Sequence, residues 1–146
     1  MLALIQFIAV LATILFAGAA IYINLVEHPA RMSCSTEIAL AVWAPSYRRA
    51  TGMQASLAIA GSLAGLAAWL LGAGLLSLVA ALCILAVIPV TFIIIFPTNN
   101  QLLAPGRDPG SPETRRLLIK WSRLHAIRSV LSLIASALFV LQLVRI

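Results

Sequence analysis

Residues 75–96 read LLSLVAALCILAVIPVTFIIIF, twenty-two positions without a charge. As a helix rising 1.5 Å per residue this stretch is about 33 Å long, against a bilayer hydrocarbon core of about 30 Å. A run of that length and purity is a membrane span. Pro89 falls inside it and should kink it. Pro97-Thr98-Asn99-Asn100 then reads as its end.

The flanks repeat the pattern. Upstream, Gly72-Ala73-Gly74 is a tight uncharged turn, and Pro45 to Leu71 is a second apolar segment. Pro45 suits the first turn of that span, where no N–H donor is needed. Gly61 and Gly65, four residues apart, would let two helices approach closely, within one bundle or between copies of the chain. Further upstream, Leu2 to Val26 is apolar, too long for a leader and without Lys or Arg before Ile5, so it reads as an uncleaved first span. Thr36 to Trp43 fits a short helix at the membrane interface. Downstream, Leu103 to Gly110 reads as loop. Ser111-Pro112-Glu113 is a helix start: N-cap serine, proline at the first position, acid in the first turn. The spans are thus about 2–27, 45–71, 75–97 and 112–144, in a single transmembrane domain over 1–146. The expected fold is all-α, an integral membrane four-helix bundle.

Composition agrees. Of 146 residues 62% are hydrophobic and 10% charged, with mean hydropathy +1.07; soluble domains carry about 25% charged residues. The net charge of +6 is read as membrane flanking rather than nucleic acid binding. Arg31, Arg48, Arg49, Arg107, Arg115, Arg116, Lys120 and Arg123 border one face, against Arg145 and the terminal amine on the other. The positive-inside rule places both long loops in the cytoplasm and both termini outside, as in a bacterial inner membrane. Cys34 in a loop and Cys83 in a span imply no disulfide.

The few polar residues are clustered. Asn24, Glu27, His28 and Arg31 are spaced three and four apart, with Pro29 expected to break the helix near His28. Either Glu27 and Arg31 cap the span at the head groups, or the cluster is functional, with His28 the stronger functional candidate. Trp43 and Tyr47 read as interfacial aromatics, Tyr47 also as a donor to a bound oxygen atom. Asn99 either caps a helix end or orients a polar ligand. Trp121, His125, Arg128, Ser132 and Ser136 make one polar stripe on the fourth helix, which should face inward. Arg128 then needs an anion, and Glu27 across the bundle is the natural candidate.

Two chemistries stay open for the histidines. His28 and His125 would hold copper, iron or haem, with Glu27 as a third ligand or a partner of one. Alternatively one is a general base, and Arg128 and Asn99 stabilise the oxyanion it creates. A non-enzymatic membrane scaffold or transporter-like module is the competing class.

Four motifs in order, Asn24-Leu25-Val26-Glu27-His28-Pro29-Ala30-Arg31, Trp43-Ala44-Pro45-Ser46-Tyr47, Pro97-Thr98-Asn99 and Trp121-Ser122-Arg123-Leu124-His125-Ala126-Ile127-Arg128, resemble the anthrone-oxygenase-like family of small four-span membrane proteins. Its bacterial members are mostly labelled a domain of unknown function; fungal members oxidise anthrones to anthraquinones with oxygen. The resemblance implies a membrane oxidoreductase, an oxygenase of a lipophilic aromatic or phenolic substrate. The candidate catalytic residues are His28, His125, Tyr47 and Arg128, and the candidate substrate contacts are Asn24, Trp43, Asn99 and Trp121. The expected partners are the bilayer, a lipophilic small molecule and, through Gly61 and Gly65, a second copy.

Overall fold

The computed structural model describes residues 1–144 as an all-helical membrane bundle. Its four long helices are α1 (Leu2–Met32), α2 (Thr36–Leu70), α3 (Leu75–Leu102) and α4 (Pro112–Val144). Short connections force sequential helices to run antiparallel. Each packs on its neighbours in sequence, and α4 closes back on α1. Arg145 lies outside the described residues.

The burial pattern is inverted relative to a water-soluble bundle. Large apolar side chains such as Phe7, Leu25, Leu63 and Ile93 face outward, while Gln6, Thr13, Gln54, Ser62 and Ser132 are buried. That distribution suits lipid outside, because backbone and side-chain polar groups must be satisfied within the protein. The interior has two halves. One packs Ala9, Phe16, Ala58, Ala81, Ile84, Ala135 and Phe139. The other packs Ile23, Trp43, Ile95, Leu118 and Trp121.

Helix ends follow local chemistry. Ser111 Oγ accepts the Thr114 N–H at 3.1 Å, as its N-cap position predicts. Gly72 and Gly74 have φ of 89° and 92° and carry the α2–α3 turn.

Several expectations need correction. No separate interfacial helix forms, because α2 runs unbroken from Thr36 through Pro45 and Ser35 Oγ caps its start by accepting the Ile38 N–H. The chain does not break at His28 either. Residues Ile23–Glu27 form a π-helical turn and helix resumes over His28–Met32. Nor does Pro97 end α3. A second π turn, Val90–Ile95, precedes it, and helix continues over Phe96–Leu102. A proline ring clashes with the carbonyl four residues before it. Those carbonyls belong to Leu25 and Ile93, and each lies in a widened turn. Helix therefore passes through both prolines.

Gly61 and Gly65 are used inside the chain. A Cβ on Gly61 would lie 2.7 Å from Thr13 Oγ1, and one on Gly65 would lie 2.5 Å from Phe139 Cζ. Of the two uses open to this pair, the one within the bundle is seen: Gly61 lies against α1, and Gly65 against α3 and α4, of the same chain.

Candidate functional site

The stripe predicted on α4 faces inward: Trp121, His125, Arg128, Ser132 and Ser136 are all buried. Opposite it, the π turn of α1 presents Asn24. Asn24 Nδ2 donates to the Ser122 carbonyl at 2.9 Å. A carbonyl only accepts, so the amide orientation is fixed. Asn24 Oδ1 then accepts from Ser129 Oγ at 2.7 Å and faces His125 Nδ1 at 2.7 Å. It follows that Nδ1 of His125 carries the proton, and in the neutral ring Nε2 is the lone-pair nitrogen.

His125 opens onto a small cleft of about 30 Å3 with Glu27, Arg31, Tyr47, Gln54, Trp121 and Arg128 in its walls. Aromatic rings build the surroundings. Trp43 is fully buried, stacked on Tyr47 at 5.2 Å and edge-on to Trp121 at 5.8 Å. It packs behind the cleft, against the Tyr47 and Trp121 rings of its walls, and is not an interfacial anchor. Trp121 packs against both imidazoles, at 5.3 Å from His28 and 4.9 Å from His125.

The charge pairing differs from expectation. Glu27 pairs with Arg31, four residues on along the same helix. That local partner is within reach without crossing the bundle. Arg128 instead donates from Nη2 to Gln54 Oε1 at 2.6 Å, and its guanidinium lies 5.3 Å from the centroid of the Phe16 ring. It is a buried cation held by a neutral amide and a π face.

His28 and Asn99 are not brought into this cleft. His28 is buried against Trp121, and neither of its ring nitrogens has a hydrogen-bond partner. Asn99 shares a helix face with Ile95 and Leu102, which pack in the Trp43–Trp121 half of the interior. It is buried with both amide atoms unpartnered, so it is no helix cap. Among the described residues no three of His, Cys, Asp or Glu converge as a metal-binding group. With Glu27 engaged by Arg31, the expected His28–His125–Glu27 set does not fit a three-ligand metal site. The shared contact of Trp121 with both imidazoles does not resemble an open haem slot.

Sequence reasoning missed Gln54. Its signal was spacing: Tyr47, Thr51, Gln54 and Ala58 recur at four, three and four, one face of α2, and all but Ala58 line the cleft. Arg115 was read only as a topology anchor. It also donates to the Met32 carbonyl at 2.8 Å, tying the start of α4 to the end of α1.

Fold and site together define a polytopic helical membrane protein with a small polar cleft, holding an oriented histidine and a buried arginine, at one end of its bundle. The family model described as anthrone oxygenase matches residues 43–138. The chain belongs to the anthrone oxygenase family. It is 38% identical over 77 residues to anthrone oxygenase tpcL of Aspergillus fumigatus, a match covering 51% of this chain and 48% of that protein. It is 37% identical over 68 residues to an anthrone oxygenase of Claviceps purpurea, covering 41% of this chain and 39% of the relative. The chain thus spans about half the length, or less, of the curated relatives it matches. No solved structure matches it. The family match includes Tyr47, Gln54, Asn99, Trp121, His125 and Arg128, while Asn24 to Arg31 lie before it.

Proposed function

We propose that the chain is a membrane-embedded oxygenase of lipophilic phenols and their keto tautomers, the class to which an anthrone belongs. The observation that supports this best is Asn24 fixing His125 so that Nε2 is its basic nitrogen, in the same cleft as Arg128. His125 takes the O–H proton of the enol tautomer. Arg128 holds the resulting oxyanion, with Tyr47 as a further donor from the opposite wall. The electron-rich ring delivers two electrons to dioxygen, and a C–O bond forms at the ring carbon para to the oxyanion. His125 returns the proton to give a hydroperoxide. Loss of water then removes the C–H proton of that carbon, breaks the O–O bond and leaves a new carbonyl. One dioxygen is consumed for each quinone and each water formed.

Membrane orientation is part of the same proposal. Arg48, Arg49, Arg107, Arg116 and Lys120 flank the cleft end of the bundle, which supports a cytoplasmic site with both termini outside, as in a bacterial inner membrane.

The test is oxygen uptake and anthraquinone absorbance for the protein in lipid nanodiscs supplied with anthrone. The expected result is one dioxygen per quinone above the protein-free rate, falling about 10²-fold or more in His125→Ala. Uptake no faster than empty nanodiscs, or a His125→Ala rate equal to wild type, refutes the proposal.

A further inference from the structure

The cleft of about 30 Å3 is too small for an aromatic ring, but it is not alone. Behind it lies a second hollow of about 180 Å3, walled by Phe16, Ala58, Val87, Ile88, Phe92 and Phe96. An apolar cavity of about 150 Å3 is enough to hold a benzene ring. The lining residues Ile59 and Phe92 are themselves exposed, so this hollow opens between α2 and α3 onto the apolar outer surface. It is an entrance from lipid rather than from water.

Thr51, Gln54 and Arg128 line both hollows and form the divide between them. That divide is chemically unfinished. The Arg128–Gln54 hydrogen bond consumes Oε1 of the amide and leaves Gln54 Nε2 as a donor. Gln54 Nε2 and Arg128 Nε are both buried with no acceptor in the protein, on side chains 1% and 8% exposed. Buried donors without partners are uncommon and costly. Two of them at the inner end of an apolar cavity call for an acceptor oxygen carried by an apolar body.

We propose that the α2–α3 cavity binds the oxygen-bearing ring of a lipophilic phenol or aryl ketone that enters from the bilayer. The ring lies among Phe16, Phe92 and Phe96, and its oxygen accepts from Gln54 and Arg128. Gln54 is then the residue that selects an oxygenated ring over a plain hydrocarbon. This deepens the oxygenase reading, since it places the reactive oxygen at the divide facing the His125 cleft, and the fate of the ligand rests on that reading. The binding does not.

The experiment measures equilibrium binding of 2-naphthol and of naphthalene to the protein in nanodiscs, under nitrogen, after subtraction of empty-nanodisc partitioning. Wild type should bind 2-naphthol on the order of tenfold more tightly than naphthalene, the scale of a hydrogen bond from a charged group. Gln54→Leu should erase most of that preference while still binding naphthalene. Ala55→Phe, which grows a ring from the cavity wall, should weaken both ligands together. Helix content and thermal melts of each variant report folding, and Leu82→Val, on the outward face of α3 and away from both hollows, should leave both affinities near wild type. Equal affinity for the two ligands in wild type shows a slot for acyl chains and overturns the proposal, as does unchanged binding in a folded Ala55→Phe. If the binding pattern holds but anthrone is not oxidised, the oxygenase reading fails and the cavity assignment stands. If anthrone is oxidised at wild-type rates by folded Ala55→Phe, the cavity assignment fails alone.

Discussion

Removing the Arg128–Gln54 contact should reveal a strongly coupled pair. Arg128 is a buried cation whose hydrogen-bond acceptor is Gln54 Oε1, at 2.6 Å. Interhelical hydrogen bonds in membrane proteins average about 0.6 kcal/mol and reach about 1.7. A short bond from a charged donor belongs at the upper end, so about 1.5 kcal/mol is expected here, a factor of about ten. Gln54→Leu alone leaves the guanidinium without its acceptor and should cost about that much or more. Arg128→Met alone strands the amide oxygen, yet it also removes a cation whose burial costs several kcal/mol. The two effects oppose, and the net change should be within about 1 kcal/mol of zero. The double variant loses the cation and leaves no stranded amide, so it should be at least as stable as wild type. Equilibrium unfolding of all four proteins in mixed micelles gives the coupling energy directly. Additive effects within about 0.3 kcal/mol would refute the contact, and an Arg128→Met variant destabilised by more than about 3 kcal/mol would show the arginine to be a structural element rather than a functional cost. Activity supplies the counterpart. Both variants lacking Arg128 should lose the proposed anthrone oxidation however stable they are.

Three further outcomes follow from the geometry. Asn24→Ala should lower anthrone turnover by about 10²-fold, the scale of a misplaced catalytic group, with the helix content unchanged, because Asn24 holds the His125 ring without lining the cleft. Gly65→Ala should cost about 1–3 kcal/mol by overpacking, since its Cβ would meet Phe139 Cζ at 2.5 Å; Phe139→Leu in the same background should recover part of the loss in an unfolding titration. Deleting Leu25 should cost about 3 kcal/mol by setting Pro29 against an ordinary α turn, and adding Pro29→Ala should restore most of it; equal costs with and without the proline would show that the π turn has another cause.

How far the sequence carries depends on the range of the interaction concerned. The stripe from Trp121 to Ser136 was legible because its burial follows from helical spacing and the expense of polar groups in lipid. The Ser111 cap was legible because it is local. The prolines misled for the same reason: the rule that a residue before proline leaves the helix is local, and here a widened turn three to four residues upstream overrides it. Arg128 misled in the other direction. Its need for a partner was evident, but Glu27 had a nearer cation in Arg31, and the true partner was a neutral glutamine in the middle of an apolar helix. A lone Gln among Ala, Ser and Leu carries little signal until its spacing from Tyr47 and Thr51 is counted.

The two halves of the interior divide the labour in a way that the prolines make physical. In the half built on Ala9, Ala58, Ala81 and Ala135, small residues bring backbones close, and Phe16 and Phe139 fill what remains. Close packing is the main attraction between helices in lipid, so this half holds the bundle together. In the other half sit both π turns, both unpartnered amide atoms of Asn99, both unpartnered nitrogens of His28 and the unpartnered indole N–H groups of Trp43 and Trp121. Each such group opposes folding. Most of the unpartnered buried groups lie in this half, although Gln6 Nε2 and Thr13 Oγ1 lie further back along α1, and the close packing of the alanine-rich half offsets their cost. Phe16 lies at the seam, packed in the tight half with its ring facing the Arg128 guanidinium. Changes below the seam, as at Gly65, should therefore act on stability first, and changes above it on the proposed oxygen chemistry first. A Phe16→Leu variant, which touches both, is the one substitution from which the two effects should not separate.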